Sequence, residues 1–166
     1  MGILLFKRFI AIFSVVFLIS ATGIISYSCS CGKDKKAAGD ISVPITVQNS
    51  KNIGSVDIVF KYDPGVLEIT DVLPGKLSEN SMMEYNAENP GRVNIGIVDT
   101  DGISGDGDLV IIGFDVVDKT GTSQLELEAV KTHDATSLID VINKTTDGTY
   151  KAEVNSLKEP VITFPD

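Results

Sequence analysis

From Ile41 onward the hydrophobic residues recur with period two. Ile41, Val43, Ile45 and Val47 alternate with Ser42, Pro44, Thr46 and Gln48, which predicts a half-buried strand, and the missing amide of Pro44 predicts that it lies at an edge. Ser55 to Tyr62 puts Val56, Ile58, Phe60 and Tyr62 on one face and Asp57, Val59 and Lys61 on the other. Asp63-Pro64-Gly65 breaks this run, alternation resumes over 66–72, and Leu73-Pro74-Gly75 stops it again. Further strands are predicted at about 82–86, 92–99, 108–118 and 124–132. A closing hairpin is expected from 139–143 and 149–154 around Thr146-Asp147-Gly148, because Asp-Gly suits a tight turn with positive φ. The tail after Val154 carries Pro160 and Pro165 and reads as an added edge strand or a disordered end. About nine short strands separated by turn signals, with no amphipathic helix, predict an all-β sandwich.

The chain before residue 40 follows a different pattern. Lys7 and Arg8 precede an uncharged stretch from Phe9 to Gly32, and Ser26, Ser28 and Ser30 crowd around Cys29 and Cys31. A positive start, an apolar middle and small residues at the end form an export leader over residues 1–31. Ser28-Cys29 resembles a lipoprotein processing site, so Cys29 is the expected lipidation site. The span is also long enough to stay as a membrane anchor, and simple secretion is the third reading. All three put the protein outside the cytoplasm, as a cell-surface or secreted chain. Residues 32–39 read as a short charged linker, 40–154 as the domain and 155–166 as the tail.

Charge narrows the partners. Of 14 basic and 23 acidic residues, nine basic and 22 acidic side chains follow residue 39, a balance of −13. Such a surface repels nucleic-acid phosphates, so no nucleic-acid partner is expected. Two Cys residues, both in the leader, and one distant His cannot assemble a four-ligand metal site. The acidic run Asp99 to Asp108 fails as an EF-hand loop, since counting from Asp99 the fifth and sixth positions are Ile103 and Ser104; it reads as a Gly/Asp-rich connection.

Catalysis finds no support. The one His, His133, has no G-x-S-x-G serine to work with. Glu126 and Glu128 share one face of a strand as surface charges do, so no carboxylate pair across a cleft is indicated. The expectation is a non-enzyme without cofactor or metal.

The run Ser55-Val56-Asp57-Ile58-Val59-Phe60-Lys61-Tyr62-Asp63-Pro64-Gly65-Val66-Leu67-Glu68-Ile69 resembles the second and third strands of cohesin domains, the modules of cellulosome scaffoldins that bind dockerins. Ile41 to Val47, Val93 to Asp101, Gly105 to Val117 and Thr132 to Thr149 fall in the family's order, so the likeness covers about residues 40–154. The resemblance implies a jelly-roll β-sandwich, recognition of a dockerin-bearing extracellular protein, calcium on that dockerin, and a setting in polysaccharide degradation. Carried over, the partner-binding positions are Ser55, Asp57, Ile97, Asp99 and Thr100, with Ser55 standing where Asn is often found. Val59, outward beside Asp57, adds an apolar contact. The alternative reading is a carbohydrate-binding or adhesive surface sandwich. Against it, the chain has no Trp, and Tyr85 and Tyr150 are the only Tyr residues outside the expected core and leader. A third reading is an assembly subunit of a surface layer.

Overall fold

Two strands organise the molecule. In the computed structural model, which describes residues 36–165, β1 (Ile41–Lys61) and β4 (Arg92–Val116) run 21 and 25 residues. They pair antiparallel from Ile41 opposite Phe114 to Lys61 opposite Arg92. Each absorbs two of the strands expected from the sequence. Leader residues 1–31 and Cys29 lie outside the described residues.

The β1–β4 ribbon does not stay in one layer. Its register breaks four times between Ile45 and Ser55, where Asn49 (φ 58°) and Asn52 (φ 53°) adopt left-handed backbone. Asn tolerates that region better than most residues. On the facing strand Gly105 (φ 111°) lies opposite Ser50, in a conformation that favours glycine.

The ribbon thereby contributes one half of each strand to each layer of a sandwich. In the first layer β2 (Leu67–Pro74) pairs with the C-terminal half of β4, and β9 (Val161–Thr163) runs parallel to Thr46–Gln48 of β1, with β6 (Lys144–Thr146) beside it. Pro44 lies just outside the stretch of β1 that β9 covers, as its missing amide requires. In the second layer β3 (Met82–Asn86) pairs with the N-terminal half of β4, and β5 (Thr122–Asp134) pairs with the C-terminal half of β1. β7 (Gly148–Lys151) and β8 (Ser156–Lys158) extend that layer. The expected all-β sandwich of about nine strands is what the structure has.

Side chains from the two inner faces meet around Phe60 and Phe114, both fully buried, with Tyr62 packed edge-on against Phe114 at 5.1 Å. Leu109 to Ile112 depart from alternation and are buried at every position. Outside this stretch, Gly75 and Leu77 donate backbone hydrogen bonds to the carbonyls of Leu109 and Asp108. Nearby, a Cβ on Gly113 would meet the Ala38 carbonyl at 1.9 Å. Part of the segment read as a linker thus lies on the sandwich, with Ala37 buried and the Thr70 hydroxyl donating to the Ala38 carbonyl.

The closing hairpin is corrected. β6 and β7 lie in different layers, and residues 139–143 form a loop with one bridge, Asp140 opposite His133. Asp147 accepts the Leu127 amide instead of closing a turn, and Gly148 is needed for close approach, since a Cβ there would meet the Lys158 carbonyl at 2.3 Å. Asp147-Gly148 is the corner where the chain crosses between layers. The tail is ordered but is not a single edge strand: β8 pairs only with β7, whereas β9 is enclosed between β1 and β6, with Ile162 fully buried. Ile162→Ala is expected to lower folding stability by about 2–5 kcal/mol, measured by chemical denaturation; a change near zero would mean that β9 contributes nothing to the core.

Candidate functional site

The outer face of the second layer carries Ser55, Asp57 and Val59 of the residues singled out by the sequence. Val56, Ile58 and Phe60 of β1 and Val93, Ile95 and Ile97 of β4 point into the core, so the residues between them point outward. The register arranges these outward residues in three rows across β3, β4, β1 and β5. The first row is Met82, Val98, Ser55 and His133; the second is Glu84, Gly96, Asp57 and Lys131; the third is Asn86, Asn94, Val59 and Ala129.

Asp57 is exposed, and its carboxylate has no hydrogen bond or ion pair with any described residue. Beside it, a Cβ on Gly96 would meet only the Asp57 carboxylate, at 3.7 Å. Two exposed apolar side chains, Met82 (78%) and Val98 (51%), face each other across β3 and β4. At the far end of the face Glu128 accepts Lys61 at 2.6 Å and Arg92 at 3.0 Å. The Lys61 hydrogen bond and the Arg92 charge hold the Glu128 carboxyl below its usual range. These three side chains satisfy one another.

Ser55, Asp57 and Val59 lie where they were expected. Ile97 is corrected: it is 1% exposed and belongs to the core, and its neighbour Val98 occupies the outer face. Its direction follows from the alternation with Val93 and Ile95. Asp99 and Thr100 sit at the rim. The Ser81 hydroxyl donates to Asp99 Oδ2 at 2.6 Å, and the amides of Asp101 and Gly102 donate to Oδ1. These bonds, Ser81 foremost, hold the Asp99 carboxyl below its ordinary range, so this group braces the rim. Thr100 is exposed beside it. Sequence reasoning missed Met82, Glu84, Gly96, Val98 and Lys131, although the period-two alternation of β4 identifies Gly96 and Val98 as outward.

Ser55 is tied to the neighbouring loop. Its Oγ lies 3.0 Å from His133 Nδ1, and His133 Nε2 lies 2.9 Å from Asp140 Oδ1. With the proton on Nε2, the ring donates to Asp140 and accepts from Ser55. Ser55 sits in the middle of a strand paired on both sides, which commits its amide to the sheet, and the arrangement acts as a brace. Leu138, Ile139 and Ile142 project from the braced loop, 75%, 66% and 80% exposed. A groove of about 620 Å³ separates loop and sheet, lined by Asp57, Lys131, His133, Asp140, Ile142 and Asn143 among others. On the opposite flank a hollow of about 370 Å³ lies beside Met82, Val98 and Thr100. Among the described residues no three His, Cys, Asp or Glu side chains gather as metal ligands.

The loop has a second anchor at Asp134. Its Oδ1 accepts the amide and hydroxyl of Ser137 and the amide of Thr136, while Asn52 Nδ2 donates to Oδ2 at 2.8 Å. The Ser137 bonds lead in lowering the Asp134 pKa from 3.8 to about 2. A folded-state pKa below the unfolded one contributes stability that is complete above the unfolded value and is lost as pH falls through the folded value. An NMR titration of the Asp134 carboxyl is expected to give a midpoint near 2, with the Ser137 amide shifting in step; a midpoint at the ordinary value would mean the anchor is not formed.

A family model for the cohesin domain matches residues 28–152. Among solved structures, a non-cellulosomal cohesin from the hyperthermophilic archaeon Archaeoglobus fulgidus is 27% identical, with 78% of this chain and 82% of that one covered and a TM-score of 0.54. The sixth cohesin of Acetivibrio cellulolyticus scaffoldin B, solved in complex with a mutant dockerin, is 17% identical over 80% and 92% of the two chains, at a TM-score of 0.58. A type I cohesin–dockerin complex from Clostridium thermocellum is 21% identical over 79% and 93%, at 0.54. No curated protein matches the chain.

Proposed function

The chain belongs to the cohesin domain family, and from that premise we propose that it is a non-catalytic extracellular module that holds a dockerin-bearing partner on the outer face of β3, β4, β1 and β5. The observation that carries this reading is Asp57, a free carboxylate at the middle of a face with apolar side chains at its ends. Such an acceptor does nothing for the fold and suits a partner that brings hydroxyl or basic donors. The dockerins in the solved Acetivibrio and Clostridium complexes support the same class of partner.

Size decides how much of the surface takes part. Three rows on four strands span about 14 Å by about 14 Å, or about 200 Å². A stable complex uses about 800 Å² from each side. The grid is therefore the centre of the interface, and the flanks with Leu138, Ile139 and Ile142 on one side and Thr100 on the other supply the remainder. The −13 balance from residue 40 onward attracts a basic partner and speeds its association at low salt.

On this reading calcium is held by the dockerin, and the cargo is a polysaccharide-degrading enzyme or another extracellular factor. Attachment to the cell surface is assigned to residues 1–31, by a lipid on Cys29 or as a membrane anchor. A sugar-binding face would need planar stacking groups, and Tyr85 is the one large aromatic exposed among the described residues, which gives the carbohydrate reading less support.

The immobilised chain is expected to capture a dockerin-containing protein from the extracellular fraction of its source organism, with capture lost on calcium chelation. Retention on insoluble polysaccharide without any dockerin would overturn the proposal. Asp57→Ala is expected to weaken the complex by about 1–3 kcal/mol with the thermal midpoint unchanged, read by calorimetric titration and thermal melting. An equal loss of stability would assign Asp57 to the fold.

A further inference from the structure

Gly96 lies in the interior of β4 with neighbours on both sides, β3 through Glu84 and β1 through Asp57. A glycine there weakens the strand, because it forgoes side-chain packing and has more backbone freedom to lose. Other glycines of this protein have visible reasons. Added Cβ atoms on Gly113, Gly75 and Gly54 would lie within 2.5 Å of main-chain atoms. Gly96 has no such reason: its φ is not positive, and a Cβ would make one ordinary contact, with Asp57. A strand glycine that the fold does not need marks close approach by something outside the fold.

The second row says what that something is. Glu84 and Asp57 flank the gap, each one strand away at about 4.8 Å. Neither carboxylate has a hydrogen bond or ion pair with a described residue. Lys131 is the cross-strand neighbour of Asp57 on its far side, two strands or about 9.6 Å from Gly96 between backbones, so it offsets part of the Asp57 charge while both carboxylates stand nearer the gap than the cation does. The field over the gap is therefore negative. Along β4 the gap is bordered by the methyl groups of Val98 and by Asn94. A trough with an apolar end, no side chain on its floor and a carboxylate on each wall fits an aliphatic stem that ends in a cation.

We propose that the Gly96 gap is a specificity pocket that receives a Lys or Arg side chain of the docked partner, held between Glu84 and Asp57. The proposal rests on the dockerin-binding reading and adds to it the chemistry of one partner residue. It also gives the interface a direction, because the row reads acid, gap, acid, base from β3 to β5: the partner's cation lies over β4, and any acidic group it brings lies toward Lys131.

The test compares the full chain with Gly96→Val, Gly96→Ala and Glu84→Gln, using the dockerin protein captured by the wild type as the titrant. Gly96→Val is expected to raise the thermal midpoint, since a β-branched residue suits a strand, while weakening binding about tenfold or more. Gly96→Ala should move both in the same directions by less. Glu84→Gln should weaken binding about threefold to tenfold and flatten its salt dependence. Unchanged affinity in Gly96→Val would overturn the pocket and leave the dockerin reading standing. A loss of affinity accompanied by a lower thermal midpoint would assign Gly96 a structural role, and a loss in Gly96→Val with no effect of Glu84→Gln would exclude a cation; either overturns the proposal. Failure of the wild type to capture any dockerin would remove the reading and the pocket together.

Discussion

The constraint on which the structure depends is the length of the β1–β4 ribbon. At about 3.4 Å per residue an unbroken β1 would stretch about 70 Å, with much of its apolar face beyond the reach of any partner layer. The ribbon has to fold back on itself to bury that face. It does so where Asn49, Asn52 and Gly105 accept left-handed backbone and where the register slips. Once it folds, the two halves of β1 and β4 become the centres of opposing layers, and the other strands add at the open edges. Phe60 and Phe114 meet because this fold-back brings their halves together.

The same fold-back creates the outer face. Its second half of β1 is flanked by β4 and β5, so the outward residues of all three strands stand in register, with β3 at the edge. The face divides by how its charges are satisfied. Lys61, Arg92 and Glu128 neutralise one another at one end, Asp99 is spent on Ser81 and two amides at the rim, and Asp57 and Glu84 are left free between them. Groups already paired have little to offer a partner, whereas a free carboxylate on a sheet keeps its full capacity to accept donors.

The braced loop after β5 completes this division. Asp134 collects amides and hydroxyls of the turn, His133 links Ser55 to Asp140, and Thr132 exchanges bonds with Val141. This polar framework holds Leu138, at a left-handed φ of 58°, with Ile139 and Ile142 in solvent. Exposed aliphatic side chains on a well-anchored loop are ready for a partner without the ordering cost that a loose loop would incur on binding.

The sequence by itself determined whatever depends on the local pleat of the backbone. Alternation over 41–47 and 55–62 identified strands and separated inward from outward residues; the same period runs through 92–99, where the burial of Ile97 beside Val93 and Ile95 follows it and the position carried over from the family does not. The charge balance and the turn residues were equally local. Tertiary structure alone decided which strands are neighbours. Nothing within Thr146-Asp147-Gly148 announces that the chain there changes layers, because the groups that hold the corner, Leu127 and Lys158, belong to other strands, β5 and β8. Nor does the sequence reveal that Gly96 lies between Glu84 and Asp57, since that row comes from three strands brought into register by the fold-back. Pleat direction is a property of each residue and its immediate neighbours; register and layer belong to pairings between distant segments, and the outer face of β3, β4, β1 and β5 is made of those pairings.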